Sequence, residues 1–364
     1  MMASAFESPL SPAQSALGKP ETTTPPTSLP KEPTHIYIDP DGDLHLEVGT
    51  KEAARLFVVC SRTMARSSAF WKTLLYGQFA ESKKPQPGDD KTEWVVKLPE
   101  DNPESMKMLL DIVHGRFEFV PGYEDSISVP NLYDLCVLTD KYDMTHVMRP
   151  WARGWSKSVQ PISKWSIMCH EKLWTSWELG DKASFKEVAK HLLLNYSGVS
   201  VKHYPRFLFG FGLSRKTRIL EAPGIYENIE RIRLDTIDKL IAPFHDTLQK
   251  LIRNDNSLCI GPKGYGNCTH SMLGTTIQSL QSGGLWPIPN PKDVKISLWE
   301  FSETLRRVEV ETGSGQTHRC TLTQKLQAGI DETMKLIPSL LTAEHRRHLK
   351  TQAKKSGLIS KPSA

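Results

Sequence analysis

The residues best suited to binding a metal ion are cysteines and histidines in the C-terminal third of the sequence. They are Cys259, Cys268, His270, His318 and Cys320. Their spacings, Cys-x8-Cys-x-His and His-x-Cys, supply the thiolate and imidazole groups that tetrahedral zinc prefers, and both groups are predicted to lie in loops. The spacing differs from that of a standard zinc finger, and scattered buried cysteines and surface histidines are common. Packing is therefore the favoured interpretation and a structural zinc ion the alternative; no other cofactor is indicated.

The sequence lacks the residue patterns of familiar catalytic sites. The glycine-rich residues 261–266 do not end in the Gly-Lys-Ser/Thr that cradles phosphate groups. His170-Glu171 lacks the second histidine one turn later that a metalloprotease helix requires, and there is no Gly-x-Ser-x-Gly elbow. We therefore predict no catalytic residues and a protein that is not an enzyme.

The composition is that of a globular chain. Of 364 residues, 38% are hydrophobic and 24% charged, which suits two ordinary domains. No run of roughly 20 apolar residues or secretory signal is evident, so a cytoplasmic or nuclear protein with reduced cysteines and no membrane contact is expected. The net charge of +5 comes from dispersed Lys and Arg, which is weak evidence for nucleic-acid binding. Residues 1–33 are rich in Pro, Ser and Thr and predict a disordered tail.

A buried strand and an amphipathic helix form the centre of the first predicted domain. Residues 56–60 are a short run rich in β-branched and aromatic side chains, which favours a strand buried on both faces. Ser67 or Ser68 can cap the helix that follows, and Gly77 is expected to end it in the left-handed conformation. The apolar stripe of this helix consists of Phe70, Trp71, Leu74 and Leu75.

Short strands are predicted on either side of this centre. Residues 35–39 and 44–48 alternate in polarity, and the turn residues 40–43 between them predict a β-hairpin. A second reversal over residues 49–54 leads into the buried strand. Residues 94–98 predict a further strand.

Two helices and one short strand are predicted after this point. Asp101 or Asn102 can cap the first helix, whose apolar residues repeat at helical spacing. Phe117 and Phe119 alternate with polar neighbours and predict a short strand. Asn131 is predicted to open the second helix.

From Trp151 onward the pattern is helical. Trp151 and Trp155 share one helix face and are predicted to belong to the core rather than to a ligand-binding cage. Residues 225–252 have one broad apolar face, in which Pro243 predicts a kink or a split into two helices. The basic residues 345–348 could contact nucleic acid, but a solvated helix face is favoured. Further helices are predicted near residues 185–194, 297–308, 321–337 and 342–354.

Taken in order, the residues before Trp151 resemble a BTB/POZ domain. The family pattern is an apolar strand, a polar turn, then Ser and Phe at a short helix, and finally Phe-x-Glu-Ser. Here it is carried by residues 57–62, Met64, Ser68, Phe70 and residues 79–82. Many members have Ala-His-Lys after the strand, whereas this chain has Cys-Ser-Arg and retains only the basic third position. The stretches LPEDNPESMKMLLDIVHGRF and LYDLCVLTDKYDM look like the BTB proteins common in filamentous fungi.

The resemblance implies an α+β fold. A BTB/POZ domain, in which a short mixed sheet is capped by helices, is expected over residues 34–148. A mainly α-helical region is expected over residues 149–364, as an extension of the kind that follows many BTB domains.

The resemblance also implies a non-enzymatic protein that binds other proteins, including a second copy of itself. A sharper hypothesis is a substrate adaptor for a cullin-type ubiquitin ligase, in which Phe79 fills an apolar pocket and Glu81 accepts a hydrogen bond. In the alternative, Phe79 closes the core and Glu81 is merely solvated. Another class of function is a nuclear regulator that dimerises and contacts DNA or chromatin partners. Because no recognised DNA-binding motif accompanies it, nucleic-acid binding is the less favoured hypothesis.

Overall fold

A computed structural model of the chain shows an α+β fold. It describes residues 35–50, 53–85, 93–160, 168–195, 208–210, 213–215, 220–258, 267–311 and 322–359. These residues form twelve α-helices, a four-stranded mixed sheet and a separate two-stranded sheet. The predicted tail, residues 1–33, lies outside the described residues. None of the described helices is both long enough and apolar enough to cross a membrane.

The main sheet is built from four short strands. They are β1 (His35–Tyr37), β2 (Leu44–Val48), β3 (Arg55–Val59) and β4 (Val95–Leu98). Their order across the sheet is β1, β3, β2, β4. Strands β2 and β3 are antiparallel, whereas β1 runs parallel to β3 and β4 runs parallel to β2. The predicted second reversal and the buried strand are confirmed by the antiparallel pair.

The predicted hairpin between the first two strands is wrong, because β3 lies between β1 and β2. The connecting turn crosses the end of β3. A Cβ atom on Gly42 would lie 2.8 Å from the backbone nitrogen of Val59, and the amides of Ile38 and Asp39 donate to the carbonyl of Val58. Turn residues reverse the chain whether or not the flanking strands pair, so the alternating pattern alone could not identify the neighbour of β1.

One face of the sheet supplies the core. Its fully buried side chains are Leu44, Leu46, Val48, Phe57, Val59, Val96 and Leu98. Burial of each such side chain stabilises the fold by about 1.5 to 3 kcal/mol. The opposite face carries the alternate residues and is partly exposed, and among them are His35 and His45.

Two short helices, α1 (Ser61–Ser67) and α2 (Ala69–Tyr76), follow β3. Ser68 caps α2 by accepting hydrogen bonds from the amides of Phe70 and Trp71, as one of the two predicted alternatives requires. Its hydroxyl also donates to the carbonyl of Tyr142 over 2.5 Å. Gly77 does end α2, but the predicted left-handed conformation is wrong, since its φ and ψ are −87° and −143°.

Two longer helices complete the first part of the fold. Helix α3 (Pro103–Val113) is capped by Asn102, and helix α4 (Val129–Lys141) begins two residues before the predicted start. The predicted strand at Phe117 and Phe119 is wrong. Residues Phe117–Phe119 form a 3-10 turn with no partner strand among the described residues, closed by the amide of Phe119 donating to Arg116.

Within the described residues, eight helices form the second part. They are α5 (Ala152–Trp155), α6 (Cys169–Leu179), α7 (Lys182–Asn195), α8 (Ile225–Ile252), α9 (Asn267–Ser282), α10 (Leu298–Arg306), α11 (Leu322–Lys335) and α12 (Ala343–Ser356). The two-stranded sheet pairs β5 (Leu208–Gly210) with β6 (Leu213–Arg215). Helix α8 continues through Pro243, so the predicted split into two helices is wrong. Trp151 and Trp155 stack at 5.6 Å and are buried, as predicted.

Helices α6 and α12 join the second part to the first. Glu178, on α6, accepts hydrogen bonds from Thr145 over 2.5 Å and from Gln352 of α12 over 2.6 Å. Arg149 donates to the carbonyls of Lys354 and Lys355 at the end of α12. A buried polar contact therefore connects three segments that are distant in the sequence.

The predicted solvated face of α12 is wrong for its two histidines. His345 is buried and its Nε2 lies 2.7 Å from the carbonyl oxygen of Pro223. His348 stacks on Trp177 with 3.7 Å between ring centroids. The basic segment therefore contributes packing as well as charge, because only Arg346 and Arg347 between the histidines are exposed.

Candidate protein-interaction surface

The turn after α2 presents the two residues singled out as a candidate protein-binding element. Phe79 precedes a 3-10 turn, Ala80–Ser82, which contains Glu81. The side chain of Phe79 is 52% exposed, and Glu81 is also exposed. Phe79 is therefore not part of the core, in contrast to the alternative in which it closes the core behind α2.

The backbone of this turn is fixed to the sheet. The indole Nε1 of Trp94 donates to the carbonyl of Glu81 over 2.7 Å. The hydroxyl of Ser82 donates to the carbonyl of Phe79 over 2.7 Å. These bonds satisfy two backbone acceptors of the turn and hold its backbone in a defined position, which lowers the entropic cost of binding a partner.

A polar cluster around Asp43 supports the end of α2. The carboxylate of Asp43 accepts from the hydroxyl of Ser61 over 2.7 Å, and this hydroxyl is 2.6 Å from the hydroxyl of Tyr76. Lys84 pairs with Asp43 at 3.2 Å and lies 4.4 Å from the ring centre of Trp94. Burial raises the pKa of Asp43, but the hydrogen bonds from Ser61 and Lys84 outweigh it and leave this pKa below its usual value. The cluster is therefore held together by a charged carboxylate.

Three exposed aromatic side chains lie along α2 and the turn that follows, and another three are Phe117, Phe119 and Tyr123. Phe70, Tyr76 and Phe79 are 41%, 45% and 52% exposed. Large aromatic residues are enriched at protein-protein interfaces, because they bury much area with few rotatable bonds. This part of the surface therefore has the composition of a binding surface.

An open groove of about 780 Å³ adjoins the aromatic residues. It lies between α1, α2 and the end of α12, and Tyr76 forms part of its wall. Its charged or titratable lining consists of Arg62, Arg66, Lys72, Asp143, His146 and Lys355. Asp143 pairs with Lys355 at 2.7 Å, and the remaining Arg and Lys side chains make the groove electropositive. Sequence analysis did not identify this groove, although Arg62 and Arg66 one helical turn apart indicate a basic helix face.

The predicted zinc ligands lie only partly within the described residues. Cys268 and His270 are in α9, so the prediction that they occupy a loop is wrong. Cys268 is buried and His270 is exposed. Residues two positions apart on a helix do not face each other, so one ion held by both Cys268 and His270 would require the first turn of α9 to change. Cys259, His318 and Cys320 lie outside the described residues, and zinc binding by the set of five stays a prediction.

His170, from the catalytic motif that sequence analysis found incomplete, is half-buried. Its Nδ1 lies 2.6 Å from the hydroxyl of Tyr226. Burial lowers the pKa of His170 to about 4, so the imidazole is neutral at physiological pH. The centroid of the His170 ring lies 5.6 Å from that of the Tyr226 ring, so His170 packs against this residue.

Two comparisons with known proteins gave no match. A scan against protein-family models finds no match, and a search of curated proteins finds none either. The exposed turn, the aromatic residues and the groove therefore carry the functional argument by themselves.

Proposed function

We propose that this chain is a BTB/POZ protein that binds other proteins and performs no catalysis of its own. The order of the elements supports this: an antiparallel pair, two short helices, a strand parallel to the first member of the pair, and then two longer helices. The observation that carries the proposal is the exposed turn holding Phe79 and Glu81.

The partner proposed for this turn is the N-terminal domain of a cullin scaffold, which would make the chain a substrate adaptor of a ubiquitin ligase. Phe79 is more than half exposed and sits on a backbone already fixed by hydrogen bonds. Insertion of such a ring into an apolar pocket makes it an anchor residue, whose truncation costs roughly 2 kcal/mol or more of binding energy. Glu81, two positions later, supplies an exposed acceptor for a donor at the rim of that pocket.

The groove beside the turn extends the proposed interface. Lys72 and Tyr76 of α2 line it, and Phe79 follows three residues after Tyr76. An electropositive groove favours acidic side chains of the partner and accelerates association at low salt. The partner surface is therefore expected to be apolar at its centre and acidic on one side.

A binding measurement with the full chain tests the proposal. Titration of the purified chain into a purified cullin N-terminal domain is expected to give saturable binding. Phe79→Ala is expected to weaken it by about thirtyfold or more and Glu81→Arg by about tenfold or more. Phe119→Ala is the matched control, since Phe119 is also 52% exposed but lies outside the proposed surface; this variant is expected to bind as the wild type does.

Two outcomes would contradict the proposal in different ways. Absence of binding by the wild type would remove the cullin partner. Binding that survives both Phe79→Ala and Glu81→Arg, in variants whose circular dichroism matches the wild type, would place the contact elsewhere on the chain. A loss of binding in Phe119→Ala as well would point to a general loss of structure.

A further inference from the structure

The partly exposed face of the main sheet brings two histidines and a glutamate together from three parts of the chain. His35 lies on β1 and pairs with Leu56 of β3, whereas His45 lies on β2 and pairs with Val58, the next outward-facing residue of β3. Glu93 precedes β4, two residues before the partner of His45, and so shares the same face by alternation. The two edges of the sheet and one of its inner strands therefore each contribute one side chain.

The three side chains are close enough to share an ion. One nitrogen of each histidine and one carboxylate oxygen of Glu93 all lie within 4.8 Å of one another. The two imidazole rings are 5.8 Å apart and nearly perpendicular, at 82°, so they are not stacked on each other. The Nδ1 atom of His45 is buried and has no hydrogen-bond partner. A buried nitrogen without a partner destabilises the fold, and a metal ion is one group that would satisfy it.

We propose that His35, His45 and Glu93 form a binding site for a zinc ion. Two imidazoles and one carboxylate are a ligand set that zinc accepts, with a fourth position open to water or to a group from a partner. Calcium and magnesium prefer oxygen ligands and are disfavoured by the two nitrogens. The proposed site is separate from the cysteine-containing set of the C-terminal third and shares none of its residues.

Only a modest movement of side chains is required. Tetrahedral ligand atoms at about 2.0 to 2.1 Å from zinc are roughly 3.4 Å apart. In the structure the three candidate ligand atoms lie within 4.8 Å of one another, so they need to move closer together. His35 and Glu93 are exposed, so rotation of their side chains can close the distance while the backbone stays in register. The nearby Glu47 is paired with Lys97 at 3.0 Å and belongs to that ion pair. Zinc at this position would fasten both edge strands to β2 across the face of the sheet.

Zinc titration of the full chain tests the proposal. The chain is stripped with a chelator under reducing conditions and then titrated with Zn²⁺ alone, with bound zinc measured by elemental analysis. One zinc per chain is expected at this site. Glu93→Gln and His35→Ala are each expected to weaken its affinity at least roughly tenfold, since even the loss of a supporting residue around a metal site has an effect of this size. Glu47→Gln, on the same face but outside the group, is expected to leave the affinity unchanged.

Cobalt substitution separates this site from the cysteines. A Co²⁺ complex at the proposed site is expected to show visible bands without the near-ultraviolet absorption of cobalt-thiolate bonds, and Cys268→Ser is expected not to alter it. The proposal is overturned if the wild type retains no zinc. It is also overturned if both ligand variants bind zinc as the wild type does, or if all bound cobalt shows thiolate absorption. Both ligand positions are exposed, so these variants are expected to fold, and circular dichroism checks this.

Discussion

Replacement of Glu178 by glutamine is expected to stabilise the protein above neutral pH. The carboxyl of Glu178 is fully buried on α6 and receives hydrogen bonds from Thr145 and Gln352. Burial raises the pKa of Glu178 from 4.5 to about 7, and the two hydrogen bonds only partly offset this. The folded protein therefore keeps a proton on Glu178 at pH values where the unfolded chain has released it.

The size of the effect follows from the difference in pKa between the folded and unfolded states. Each unit of difference corresponds to about 1.4 kcal/mol, so the rise from 4.5 to about 7 corresponds to about 3 kcal/mol. The contribution of this residue to stability is complete below pH 4.5, and it is lost as the pH rises to about 7 and beyond. Glutamine has nearly the same shape and no charge, so the stability of Glu178→Gln does not fall with rising pH in this way. Rotation of the Gln352 amide lets its oxygen accept from the new amide.

Urea unfolding of wild type and Glu178→Gln at constant ionic strength, between pH 5 and pH 8, measures the difference. The advantage of the variant is expected to grow with pH, from about 1 kcal/mol at pH 5 to about 3 kcal/mol at pH 8. Glu187→Gln, which removes an exposed carboxylate from the neighbouring helix α7, is the control and is expected to show no such trend. A difference that stays constant with pH, or a wild type that is the more stable protein at pH 8, would refute the reasoning.

Three further predictions concern packing, capping and charge. Gly180→Ala is expected to lower the free energy of unfolding by about 3 kcal/mol, because φ is +75° and the new Cβ would lie 2.1 Å from the backbone nitrogen of Ala353. Gly115→Ala has the same φ but lies in open space, so it is expected to lower the free energy of unfolding by only about 1 to 2 kcal/mol. Denaturant unfolding measures both. Ser68→Ala is expected to cost about 1 to 2 kcal/mol in the same assay, since it removes the cap of α2. Lys72→Glu is expected to slow association with the cullin domain and to flatten its salt dependence in stopped-flow kinetics; an unchanged rate would place the groove outside the interface.

Local chemistry decided the elements that the sequence predicts well. The strand at β3 and the caps at Ser68 and Asn102, each cap being one of two predicted candidates, follow from residues that act on their immediate neighbours. A serine hydroxyl two or three residues before free amides needs no distant partner to form its hydrogen bonds. Such features are therefore readable from the sequence alone.

The features that sequence reasoning missed depend on distant partners. The alternation of β1 is the same whether this strand pairs with β2 or with β3. Its pairing with β3 depends on the packing of the turn at Gly42 across the end of β3. Phe117 and Phe119 alternate like a strand, but no described strand pairs with them. The groove joins α1 and α2 to the end of α12, more than 200 residues away, as the pairing of Lys355 with Asp143 illustrates. The proximity of His35 to His45 likewise follows from strand order, although outward positions on two predicted strands were a usable signal.

The hydrogen bond from Gln352 to Glu178 also has a consequence for synthesis. The two residues are 174 positions apart, so the ribosome makes Gln352 long after Glu178 has emerged. At about 5 to 20 residues per second, the delay is roughly 10 to 35 s. During that time α6 lacks α12, and both its carboxyl and the apolar surface that α12 covers are accessible to water. The nascent chain therefore passes through a stage in which α6 has been made but is still open to chaperones and to aggregation.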